Sequence, residues 1–185
     1  MTAKMKKLAV VCVMSIAVLV SVYAQKYVTY AASSNMNNQT YRKSDTILVI
    51  SNAGDFLWNR VMEESLKSAF RSKGISVYLL TDYMDLTADD EWDYDEYSSV
   101  IDKTNVKFAL EIMVEDLYTY TLGDGIKQFK CNAYLFECSG FDSVLRIGLA
   151  TEADTNDQLS YNATMKPAME STAKALVDEY LKHAK

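Results

Sequence analysis

The side chains able to do chemistry are unevenly spread along this chain. Eight carboxylates (Asp82, Asp85, Asp89, Asp90, Glu91, Asp93, Asp95 and Glu96) fall within 15 residues, with no base among them. Hard cations take clustered carboxylate oxygens, which makes Asp89, Asp90, Asp93 and Asp95 the candidates for a calcium site. Against this, the stretch contains no glycine, and an EF-hand loop needs one at its sixth position for the sharp turn. A solvated loop running into an acidic helix N-terminus gives the same composition, because the helix dipole favours negative charge there. Docking of a basic partner is the third reading.

Histidine, the commonest metal ligand and general base, occurs once, at His183, third from the C-terminus. Ser-His-Asp hydrolysis, His-ligated zinc and Cys-His catalysis therefore lack a partner in the body of the chain. No G-x-S-x-G elbow, P-loop or G-x-G-x-x-G follows a strand. Ser51-Asn52-Ala53-Gly54-Asp55 lies at the carboxyl end of an expected strand, where open α/β sheets bind ligands, although most strand-to-helix turns look alike. No catalytic residue and no cofactor is expected. A secreted small-ligand-binding or hydrolase-like domain using such strand-end turns is the alternative to a binding protein. With 19 basic and 25 acidic side chains, the net charge of −6 argues against a nucleic-acid face.

A second constellation lies on the outward face of three antiparallel strands. Glu111 and Glu115 can oppose Lys130 and Arg146, with Met113, Tyr134 and Phe136 among them. Met, aromatic residues and Arg are enriched in interface cores, so Met113, Tyr134, Phe136 and Arg146 are the candidate partner-binding residues. Cross-strand ion pairing on a wet sheet, or partial cover by a helix, competes with that reading. Cys131 and Cys138 sit seven residues apart in one strand, roughly 23 Å at about 3.3 Å per residue, too far for a disulfide.

The elements that position these residues follow from periodicity. Lys4, Lys6 and Lys7 precede 17 uncharged residues from Leu8 to Ala24, and Val22-Tyr23-Ala24 offers small residues for signal peptidase. Residues 1–24 read as a signal peptide, with export to the periplasm or cell exterior; an uncleaved anchor over 8–24 is the competing reading. Its removal leaves 16 basic and 25 acidic side chains, a net charge of −9. Residues 25–44 are aperiodic and rich in Asn and Ser, and read as a flexible tether. A single domain follows over 45–185.

Thr46–Ile50 is a continuous apolar run, as in a strand buried on both faces. Trp58, Val61, Met62, Leu66, Ala69 and Phe70 recur at helical spacing, and Gly74 supplies a stop. A strand over 75–80 and a short helix through Tyr97, Val100 and Ile101 complete a right-handed crossover. Three alternating strands then turn at Gly123-Asp124-Gly125 and Ser139-Gly140-Phe141-Asp142. A closing helix carries Met169, Ala173, Leu176, Val177 and Tyr180 on one stripe, with Thr164 as its expected cap and Pro167 in the first turn. The expected fold is α/β (α+β), β-α-β-α-β-β-β-α, with a mixed five-stranded sheet of order 2-1-3-4-5.

This element order over residues 45–184 resembles exported bacterial envelope domains: the N-terminal domain of TolB, CsgG and the penicillin-binding-protein activator lipoproteins. Asn105-Val106-Lys107-Phe108-Ala109-Leu110 and Ser139-Gly140-Phe141-Asp142-Ser143-Val144-Leu145 are the local echoes. The resemblance implies a non-enzymatic adaptor role among envelope proteins and carries over no site residue.

Overall fold

The computed structural model describes residues 26–52, 56–84, 94–119, 125–153 and 161–185. In chain order these form β1 (Tyr27–Asn35), β2 (Ile47–Asn52), α1 (Phe56–Ser72), β3 (Val77–Leu79) and a 3-10 turn (Leu80–Asp82). There follow α2 (Tyr94–Thr104), β4 (Phe108–Thr119), β5 (Ile126–Glu137), β6 (Asp142–Ala153) and α3 (Tyr161–His183). The sheet order is β1-β6-β5-β4-β2-β3. β2 runs parallel to β3 and β4, and the remaining pairings are antiparallel.

The α+β class and the order of the five expected strands hold, but among the described residues the sheet has six strands. The sixth, β1, comes from the stretch expected to be a tether over 25–44. It pairs with β6 from Tyr27↔Ala153 to Asn35↔Leu145. Its inward side is tied by hydrogen bonds more than by aliphatic burial, so it shows no apolar alternation. The Tyr27 hydroxyl donates to Ile126 O at 2.6 Å, and Thr29 Oγ1 lies 2.9 Å from Thr151 Oγ1 and 2.8 Å from Ser171 Oγ. Ser33 Oγ donates to Glu179 Oε1 at 2.6 Å. Beyond the strand, Tyr41 is buried and donates to Tyr180 O at 2.7 Å, while Lys43 N–H reaches Lys185 O at 3.3 Å. Residues 27–43 thus belong to the domain.

Two cores flank the sheet. On one face, α1 and α3 press Trp58, Met62, Leu66, Phe70, Leu176 and Tyr180 onto Val49, Leu110, Phe129, Ala133 and Ile147. Each such large side chain contributes about 1.5–3 kcal/mol relative to exposure. On the other, α2 covers a smaller cluster of Leu48, Ile50, Leu80, Val100, Val106, Ala109 and Phe136. Since β2 is sandwiched between the cores, all of Ile47–Ile50 is buried, as its unbroken apolar run requires.

Gly74 ends the first helical segment at φ +76°, and Asn105 ends α2 at φ +50°, with its N–H on Ile101 O at 2.8 Å. The closing helix begins earlier than its pattern suggests. Pro167 is therefore inside α3 instead of in its first turn. Thr164 is not a helix cap: its Oγ1 accepts the Ile126 N–H at 2.9 Å and so secures the start of β5.

Candidate interaction surface

The second helix covers only one end of its sheet face. Beyond that end, no other described element covers the same face of β4, β5, β6 and β1, whose side chains lie in rows set by the strand register. One row runs Glu111, Tyr134, Arg146, Ser34. The next runs Met113, Asn132, Gly148, Ala32, and a third places Lys130 beside Ala150 and Tyr30. An irregularity between Val114 and Asp116 puts Asp116, not Glu115, opposite Lys130. Small residues at Ala32, Gly148 and Ala150 leave a shallow groove of about 380 Å³, walled by Tyr30, Glu115, Lys130 and Asn132.

Asn132 organises the polar part of this surface. It is only 5% exposed. Its amide nitrogen donates to Glu115 Oε1, and its Oδ1 accepts from Arg146 Nε at 3.3 Å and Nη2 at 3.2 Å. The same guanidinium lies over the Tyr134 ring, 5.7 Å from its centroid. Such a bridge holds a carboxylate and a guanidinium in fixed places, and charge-assisted bonds of this kind are stronger than neutral ones. Glu111, bonded to the Asn52 side chain, has its carboxyl pushed above the usual range by burial.

Three of the four expected partner-binding residues come together here. Met113 is 40% exposed, Arg146 is exposed and Tyr134 is half-buried. Phe136 does not join them. It shares their face but is 8% exposed beneath α2, 6.4 Å from the Tyr97 ring and 5.8 Å from the Phe141 ring. Periodicity assigned the face correctly; it carries no information on which end of the face a helix covers. Asn132 and Tyr30 are part of this surface without being among the residues that the sequence singles out. Asn132 is a polar residue amid an alternating strand, which is a legible signal, whereas Tyr30 lies in an aperiodic stretch that offers none.

Of the calcium candidates, Asp89, Asp90 and Asp93 lie outside the described residues, and Asp95 falls in the first turn of α2. Asp82, at the start of the acidic run, pairs with Lys67 at 3.1 Å. Cys131 and Cys138 are free; burial pushes their thiols up to about 12 and about 11.

Two further polar centres lie away from the open face. Glu63 of α1 is fully buried, accepting the Ser51 N–H at 3.2 Å and the Thr81 N–H and hydroxyl at 3.0 and 2.6 Å. Burial raises its pKa to about 7, against the opposing effect of those hydrogen bonds. It thereby ties the carboxyl end of β2 to the end of β3. The second centre brings Ser33 to 2.7 Å from His183 Nε2. Because the Ser33 hydroxyl donates to Glu179, it accepts from the imidazole and is not activated by it as a nucleophile. His183, in the last turn of α3, thus doubles as a dock for β1.

No family model matches the chain, and no curated protein matches its sequence. Among solved structures, it is similar to two of the PelC dodecamer from Paraburkholderia phytofirmans, at 13% identity. The TM-scores are 0.54 and 0.51, covering 84% of this chain and 99% and 100% of those. Lipoprotein GNA1162 from Neisseria meningitidis matches at a TM-score of 0.45 and 15% identity, covering 75% of this chain and 99% of that one. The likeness to PelC establishes a shared α+β fold over most of the domain.

Proposed function

We propose that this chain is an exported, non-enzymatic binding or adaptor domain of the bacterial cell envelope, working through protein–protein contacts at the open sheet face. The observation that carries the reading is the exposed half-sheet. It combines thioether and aromatic surface (Met113, Tyr134, Tyr30) with a guanidinium and a carboxylate held by Asn132. Of these, the methionine, the tyrosines and the arginine are the residue types enriched in interface cores. Three lysines followed by 17 uncharged residues at 8–24, the pattern of a signal peptide, support export. The neighbouring PelC structures are dodecamers, which favours a role in assemblies.

The test is co-purification from the native envelope followed by mass spectrometry. Wild-type protein retains a stoichiometric partner, and Tyr134→Ala with Arg146→Ala loses it while the far-ultraviolet circular dichroism stays unchanged. Retention of that partner by the folded double variant would sink the reading.

A ligand site at the strand-end turn is the second reading. It draws on the Ser51 hydroxyl, buried at the carboxyl end of β2 and, among the described residues, without a hydrogen-bond partner. A ligand there raises the melting temperature of wild type but not of Ser51→Ala, and equal shifts in both proteins would discount it.

A further inference from the structure

Among the described residues, β1 is an uncovered sheet edge, and it lacks the features that ordinarily prevent edge pairing. Natural edges are blunted by shortness, charge, proline or a bulge. β3, the opposite edge, is only three residues long. β1 runs for nine residues (YVTYAASSN), has no charge and no proline, and keeps an unbroken register with β6.

The outward backbone groups can be identified from one bond. Met36 N–H donates to Val144 O at 3.0 Å, continuing the ladder beyond the strand. Hydrogen-bonded pairs alternate along an antiparallel ladder, so the even-numbered residues bond β6 and the odd-numbered ones aim N–H and C=O away from the sheet. In agreement, the Tyr27 carbonyl accepts from Ser171 Oγ at 3.1 Å. Among the described residues, no hydrogen bond reaches the outward backbone of Thr29, Ala31 or Ser33. The segment after β1 does not cover this edge. It leaves along the end of the sheet, where Gln39 meets Glu137 and Tyr41 meets Tyr180.

We propose that β1 pairs with β1 of a second copy of this chain, antiparallel about a two-fold axis at Ala31, joining two sheets into one. Ala31 is the midpoint of Tyr27–Asn35, and its backbone is among those facing outward. In this register Thr29 meets the partner's Ser33, pairing hydroxyl side chains on the α3 side. On the open face Tyr30, 63% exposed, lies beside the partner's Ala32, an aromatic ring over a methyl group. A two-fold interface must be self-complementary in this way. Charge favours the same place, because copies of an acidic chain repel and an uncharged strand brings no carboxylates together. The pairing stands independently of the sheet-face reading and sets the two open faces side by side.

Sedimentation velocity of the full chain across a concentration series gives the first test, with a monomer–dimer equilibrium expected. Ala31→Pro removes an outward N–H but no bond to β6, and proline is tolerated on such an edge. This variant is expected to sediment as a monomer with unchanged circular dichroism. Ala31→Cys supplies a second test that does not require the proline variant to fold. Cα atoms in a hydrogen-bonded pair lie about 5.5 Å apart, within disulfide range. Mild oxidation is expected to give a covalent dimer from Ala31→Cys and none from wild type or Val28→Cys. A wild-type monomer at every concentration, a dimer that survives Ala31→Pro, or cross-linking through Val28→Cys alone would each overturn the proposal. So would an added extended peptide occupying the edge while the chain itself stays monomeric.

Discussion

Glu63 gives this fold a pH dependence that can be worked out from its surroundings. The carboxyl is fully buried, and desolvation raises its pKa from an ordinary value near 4.5 to about 7. The folded state therefore holds the Glu63 proton more tightly than the unfolded chain. Its contribution to stability is fully present below about pH 4.5 and is lost as pH rises through about 7. At about 1.4 kcal/mol for each pH unit, the difference amounts to about 3 kcal/mol, a large part of a marginal folding free energy. Urea denaturation at intervals from pH 4.5 to 8 measures it, with Glu63→Gln as the reference. Glutamine cannot ionise but brings an amide donor toward the Ser51 and Thr81 donors, an offset of about 1–3 kcal/mol at every pH. The informative quantity is the slope. Wild type should lose about 3 kcal/mol relative to Glu63→Gln between pH 4.5 and 8. Parallel profiles for the two proteins would refute the burial argument.

The two rings on the outward face of β5 should behave differently. Phe136→Ala is expected to cost about 3 kcal/mol in urea unfolding because it hollows the α2 cluster, while Tyr134→Ala costs no more than about 1 kcal/mol. Asn132→Ala separates Glu115 from Arg146 and should cost about 1–3 kcal/mol by the same measurement. Gly74→Ala meets open space but a φ of +76°, so backbone strain alone should lower stability by about 1 kcal/mol.

What the sequence made legible, and what it hid, follows from how each element is stabilised. β2 and β4–β6 bury aliphatic side chains in regular patterns, so their existence could be read from the residue pattern and their order from the rules for crossovers and hairpins. β1 could not, because the residues it turns toward α3 are mostly hydroxylic or small. Thr29 and Ser33 hold it through bonds to Ser171, Glu179 and His183, contacts more than 130 residues away in the chain. The same bonds give the lone histidine a role beyond its helix-end charge. The open face was legible as a face, through the alternation of Glu111, Met113, Tyr134 and Arg146 with the core. Its boundary was not, since the placement of α2 over Phe136 is a tertiary fact. The position of Asn132 beneath Arg146 is likewise a product of the β5–β6 register.

Contact between the open half-sheet and a protein partner can be caught in the cell. Site-specific photo-cross-linking in cells tests it most directly, with the reactive side chain at position 134 on the open face or at position 57 on the exposed side of α1. One discrete adduct is expected from position 134, abolished when Arg146→Ala is added, and none from position 57. Capture from position 57 with none from position 134, or an adduct at 134 indifferent to Arg146→Ala, would contradict it.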